Sequence, residues 1–205
     1  MKQILLLIFL SVSVLAQAQR SYKNENSLGN PILTDSTSTL FIPVLYNEQL
    51  LSSNKLAVWG GYYANLIVYN FVTDTSKKLF EDDTFVQFAR SDDSNAKMYH
   101  QSMPIVQANR IFLLVKQTDT NGSGRIDEQD ASVLYTISPT GENLQALSTG
   151  KDHVMGIQVY AHAHFALVTL QRDSNRDGVF NQKDQYYYRK LDLKKLQWGR
   201  EIKLE

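Results

Sequence analysis

Beyond its N-terminal stretch the chain alternates short apolar runs with clusters of Asn, Asp, Gly and Ser, and no segment keeps a helical apolar period. The runs are rich in β-branched and aromatic residues, as half-buried strands require. They also repeat. Val106, Ala108, Phe112 and Val115 in VQANRIFLLVKQTDTN fall on Val159, Ala161, Phe165 and Val168 in VYAHAHFALVTLQRDSN at one constant offset, and one residue is then inserted before an acidic loop. Each loop is followed by another apolar segment, ASVLYTISPTG from Ala131 or QYYYRKLDLKK from Gln185, and then by a shorter run, NLQALS or LQWGREI.

A third copy, Asn54 to Phe80, keeps the strand, turn, strand, polar turn, strand order but joins its first two strands through a short Gly60-Gly61 turn. Superposing Tyr69 on Tyr135 makes each acidic loop an insertion into that turn, an added device in a unit that folds without it. A further strand-like run stands upstream of each unit: TLFIPVLY from Thr39, TFVQFAR from Thr84 and HVMGIQVY from His153. The pattern predicts an all-β chain of three consecutive four-stranded antiparallel meanders of about fifty residues each, the blades of a partial or small β-propeller. Residues 19–38 read as an N-terminal extension or closing strand, and residues 39–205 as a single repeat domain.

The runs LIVYNFVTDTSKKLF and VLYTISPTGENLQAL resemble the last two strands of TolB-like propeller blades, with an aliphatic-aromatic strand, a polar turn and a leucine-ended strand. The resemblance covers about two-thirds of the chain after its N-terminal stretch and lies in strand texture rather than in single residues. It implies a periplasmic interaction platform, in a group some of whose relatives carry acidic calcium loops. Three visible blades are fewer than a closed propeller usually has. A half-propeller completing itself as a homodimer would cover the open edges.

The two acidic loops are nearly the same twelve residues, DTNGSGRIDEQD from Asp119 to Asp130 and DSNRDGVFNQKD from Asp173 to Asp184. Oxygen side chains stand at positions 1, 3, 5, 9 and 12 and glycine at position 6, the spacing of an EF-hand calcium loop. In the first loop Asp119, Asn121 and Ser123, the Arg125 carbonyl, Asp127 and Asp130 are the candidate ligands. In the second they are Asp173, Asn175, Asp177, the Val179 carbonyl, Asn181 and Asp184. Each set has about three carboxylates and no nitrogen or sulfur donor, which favours Ca2+ over zinc. Asp rather than Glu at position 12 has shorter reach and points to weak affinity, ~10⁻⁴ to 10⁻³ M. Ser123 in place of an acid makes the first set the poorer one. Strand-like runs flank both loops instead of helices, so the metal would brace a strand connection rather than drive helices apart. The plainer reading is that Asp, Asn, Gly and Ser simply make turns there.

Composition narrows the picture. Lys and Arg balance Asp and Glu at 21 each, which argues against nucleic acid and anionic membranes as partners. The absence of cysteine excludes disulfides and thiol chemistry. Met1 and Lys2, the apolar run Ile4 to Leu15, and Ala16-Gln17-Ala18 read as a signal peptide over residues 1–18. The expectation is a soluble exported protein, periplasmic or extracellular, with no transmembrane segment once the signal is cleaved.

The remaining candidates are weaker. His162 and His164 alternate and could share a metal on a strand, but the repeat places them in a tight turn with exposed imidazoles. In the run Tyr186 to Tyr188, alternation sends Tyr187 to one face and its neighbours to the other; core packing is set against stacking on a sugar or partner. No hydrolase or phosphate-binding motif is present. The leading expectation is a non-catalytic, calcium-binding module for a protein or glycan partner; the alternative is an exported glycan or phosphoester hydrolase with structural calcium.

Overall fold

The computed structural model describes residues 26–34, 37–46, 62–82, 84–89, 109–127 and 129–202. The expected signal peptide, the strand-like run at Asn54 to Trp59 and the Gly60-Gly61 turn lie outside these residues.

Thirteen strands form three antiparallel sheets among the described residues. The first holds β1 (Ser27–Leu28), β2 (Ile32–Leu33), β3 (Thr39–Leu45), β4 (Asn65–Asn70) and β5 (Thr75–Lys78). β1 and β2 pair with successive parts of one edge of β3, so they make a single interrupted strand and the sheet is a four-row meander. The second sheet runs β6 (Phe85–Phe88), β7 (Ile111–Lys116), β8 (Val133–Ile137) and β9 (Gln145–Ala146). The third runs β10 (Asp152–Tyr160), β11 (Phe165–Arg172), β12 (Gln185–Asp192) and β13 (Gln197–Ile202). The chain is all-β, built of three consecutive blade-like meanders, as the alternation predicts.

One expectation about the first unit is corrected. Its second and third strands are β3 and β4, paired from Thr39 opposite Asn70 to Val44 opposite Asn65. Their connection is therefore the long segment 46–64, not the Gly60-Gly61 turn, and the acidic loops are not insertions into a short-turn unit. Tyr69 and Tyr135 do occupy matching strands, β4 and β8. The difference lies in the strand before them, which is β3 and not the nearer run Asn54 to Trp59. Pairing instead follows burial: β3 sets Phe41 against Val68 on the face that packs on the second sheet. The N-terminal segment likewise joins the sheet, as its outermost strand.

Pro43 sits inside β3, where a proline would ordinarily break a ladder. Its carbonyl accepts the Gly29 N–H at 2.8 Å, so its own nitrogen faces the same edge, where β1 and β2 are interrupted. The missing N–H costs no partner on the β4 side.

The sheets stack face to face, and the core is the two interfaces between them. Between the first and second lie Phe41, Leu66, Val68, Phe88, Leu113 and Val115; between the second and third lie Phe112, Leu114, Leu134, Val168, Tyr187 and Leu191. β7 supplies both interfaces with alternate residues, which is why all six of its positions are buried. Polar links repeat at both junctions. Lys77 meets Glu142 at 2.8 Å and Thr34 Oγ1 donates to the Pro139 carbonyl at the first. Trp198 Nε1 donates to the Leu147 carbonyl at 2.6 Å at the second. No described helix is long and apolar enough to cross a membrane.

Candidate metal loops

Each acidic loop joins the second and third strands of its sheet, from β7 to β8 and from β11 to β12. The two have the same conformation. Positions 4 and 6 are left-handed in both: Gly122 (φ 70°) and Gly124 (φ 83°), Arg176 (φ 60°) and Gly178 (φ 76°). These turns aim successive backbone N–H groups inward, toward the loop's own oxygens.

In the front half, the Ser123 N–H is shared by Asp119 Oδ1 at 3.0 Å and Asn121 Oδ1 at 2.9 Å, and Asp119 Oδ2 accepts the Gly124 N–H at 2.7 Å. The second loop reproduces this with the Asp177 N–H on Asp173 Oδ1 and Asn175 Oδ1, both at 3.2 Å, and the Gly178 N–H on Asp173 Oδ2 at 2.9 Å. Positions 1, 3 and 5 are thus gathered around one amide. The position-7 carbonyls also take side-chain donors: Arg125 from Ser123 Oγ at 3.0 Å, Val179 from Asn181 Nδ2 at 3.3 Å.

In the back half, the position-12 carboxylates close the loops from inside. Asp130 is 0% and Asp184 5% exposed. Asp130 Oδ1 accepts the N–H groups of Thr120 and Asn121, and Oδ2 that of Asp127. Asp184 accepts the Ser174 N–H at 3.0 Å and the Asn181 N–H at 2.9 Å. At position 9, Asp127 and Asn181 cap the N–H two residues on, at Gln129 and Lys183. Positions 1, 3 and 5 meet at the front turn and position 12 closes the back, while position 9 links the halves: Asn121 Nδ2 donates to Asp127 Oδ1 at 3.3 Å in the first loop, and Asn181 Nδ2 to the Val179 carbonyl at 3.3 Å in the second. Among the described residues no three carboxylates or imidazoles converge, so each donor set is mixed: carboxylate, amide, hydroxyl and carbonyl. All of its donors are oxygens, which suits a hard cation.

Position 2 carries a role that a ligand count overlooks. Thr120 Oγ1 accepts the Ala131 N–H at 3.0 Å, and Ser174 Oγ accepts the Gln185 N–H at 3.1 Å, tying each loop's entry to its exit. The readable signal was a hydroxyl at that place in both copies.

The loops also touch each other. A Cβ built on Gly178 would lie 2.5 Å from the Thr120 carbonyl oxygen and 3.1 Å from Asn121 Cα. Beside this contact the His153 ring stacks on Phe180 with centroids 5.4 Å apart. His153 Nδ1 accepts the Ser132 N–H at 3.0 Å, and Lys116 Nζ donates to the Asp130 carbonyl at 2.6 Å. Burial, with the Lys116 ammonium nearby, pulls the His153 pKa from 6.5 down to about 4. His162 and His164 lie apart from all this, exposed on a 3₁₀ turn over Ala161–Ala163. Tyr187 is 2% exposed in the core, whereas Tyr186 and Tyr188 are 47% and 49% exposed.

Comparison with protein-family models and with curated proteins gives no match.

Proposed function

We propose that this is an exported, non-catalytic β-repeat protein in which calcium braces two neighbouring inter-strand loops, and that it serves as a binding module for a protein or glycan partner. The run Ile4 to Leu15 followed by Ala16-Gln17-Ala18 supports export, and the strand texture resembles TolB-like blades. The observation that carries the metal is the front turn built twice, with the oxygens of positions 1 and 3 on a single amide in each loop. Asp119, Asn121, Ser123 and the Arg125 carbonyl would hold one ion; Asp173, Asn175, Asp177 and the Val179 carbonyl would hold the other. Asp127, Asp130 and Asp184 are buried at the back of their loops and, with Asn181, hold the loop shape there. When bound, calcium would supply a positive charge that offsets Asp119 in the first loop and Asp173 and Asp177 in the second.

Binding to the folded loops alone raises stability by mass action, about 1.4 kcal/mol per site at ten times Kd. Thermal melts in EDTA and in 10 mM calcium, with calcium titration calorimetry, test this. The wild type is expected to melt higher in calcium, and the Asp119→Ala, Asp173→Ala double variant to lose that response. A wild-type protein whose melting point and heat signal ignore millimolar calcium would end the metal reading.

A further inference from the structure

The second sheet shows what each face of the repeat does. Its forward face, with Phe112 and Leu114, packs on the third sheet; its rear face, with Ile111, Leu113 and Val115, packs on the first. At the repeat offset Phe112 corresponds to Phe165 and Leu114 to Leu167. The rear residues Leu113 and Val115 correspond to Ala166 and Val168, which do bury against the second sheet. The third sheet therefore repeats the forward face at these β11 positions, while Lys190 stands opposite Leu167 where Leu134 stands opposite Leu114. Among the described residues no other sheet lies against it.

That face mixes exposed aromatic and aliphatic residues with Gln158, Thr169, Gln171, Lys190 and Asp192. Phe165 and Leu167 lie opposite Asp192 and Lys190, with Lys190 Nζ 5.0 Å from the Phe165 ring centre; further along, Tyr188 and Tyr186 stand opposite Thr169 and Gln171, and Ile202 (52% exposed) lies opposite Tyr188 on β13. Tyr160 stacks on Phe165 at 4.9 Å. The first sheet has the complementary surface. Its forward residues Phe41, Leu66 and Val68 face the second sheet, which leaves Leu40, Ile42 and Ile67 on the rear, half-buried and with no other sheet packed on them among the described residues. The two open faces are thus the two halves of the interface that the chain already makes twice internally.

We infer that the forward face of the third sheet docks on the rear face of the first sheet of a second copy, so that two copies close head-to-tail through two equal contacts. The occupant follows from continuity with the internal interfaces: forward-on-rear is the only pairing that the described sheets use. A head-to-tail contact either closes into a ring or grows into a filament, and two copies are the smallest ring that leaves neither face open. Exposed aromatic and aliphatic residues on open sheet faces otherwise favour aggregation. The inference does not depend on calcium.

Sedimentation equilibrium tests it, first on the protein as purified, in EDTA and in calcium, where twice the chain mass is expected in both. Leu167→Glu on the forward face and Ile42→Glu on the rear should each yield monomers with unchanged far-UV circular dichroism. Mixing the two variants should restore a dimer, weaker than wild type, because one copy keeps an intact rear face and the other an intact forward face. Should either variant fail to fold, hydroxyl-radical footprinting of the wild type replaces it: Tyr188 and Ile42 should both be protected at high concentration and exposed on dilution. A monomer at all concentrations overturns the inference, as does a trimer, a filament, or a dimer broken by only one of the two variants.

Discussion

Asp130 and Asp119 occupy the two ends of one loop yet do different work. Asp130 is fully buried and satisfies three backbone N–H groups, so Asp130→Ala strands those donors and should cost about 2–4 kcal/mol with or without calcium, read from urea denaturation. Asp119 makes its bonds at the exposed front turn, and Asp119→Ala in EDTA should cost less than about 1 kcal/mol. Equal losses for the two in EDTA would contradict this division. His153 makes stability depend on pH. Its folded pKa of about 4 lies below the ordinary 6.5, so between these values the unfolded chain takes up a proton that the folded chain refuses. Stability is complete above pH 6.5 and falls as pH drops toward 4, by up to about 3 kcal/mol from this residue. An imidazole titration by NMR checks it; a His153 midpoint near 6.5 in the folded protein would refute the account. The donor types at positions 1, 3, 5, 9 and 12 were legible in the sequence. The direction in which Asp130 and Asp184 spend their oxygens was not, because a carboxylate serves a cation or a backbone amide equally well.

At the scale of elements, the contact between the loops is a contact between sheets. Gly178 has φ of +76° and its Cβ position runs into the Thr120 carbonyl, whereas Gly122 has φ of +70° and nothing within 4 Å. Both alanine substitutions pay the left-handed penalty of about 1–2 kcal/mol, but Gly178→Ala must also push the two loops apart. It should therefore destabilise by about 1–2 kcal/mol more than Gly122→Ala, measured by chemical denaturation in EDTA. Equal effects would mean that the loops separate without cost. Strands were the readable part of the chain: the runs at Thr39 and Thr84 each contain an observed strand, and the run at His153 covers all of β10 but its first residue. The partner of β4 is not legible there, because apolar alternation marks a strand and its buried face without saying which distant strand completes the ladder.

For the whole molecule, the repeat determines a polarity. Each sheet has a forward and a rear face, and the order of sheets along the chain is their order in the stack. The middle sheet, covered on both sides, has the uninterrupted apolar strand IFLLVK; β11 of the third sheet alternates deeply buried and partly exposed positions instead. This difference was visible in the sequence as texture and acquires meaning only from the stacking.

The sequence by itself determined the all-β class, the meander repeat, the paired acidic loops and the oxygen character of their donors. These follow from local chemistry: alternation at period two, turn residues with left-handed backbone, and side-chain type. Only the tertiary structure decided that β3 rather than a nearer run pairs with β4, that Asp130 and Asp184 turn inward, and that the two loops press together at Gly178. Those outcomes depend on which surfaces meet across long sequence separations, where burial and the satisfaction of backbone N–H groups select one arrangement among many that the local pattern permits.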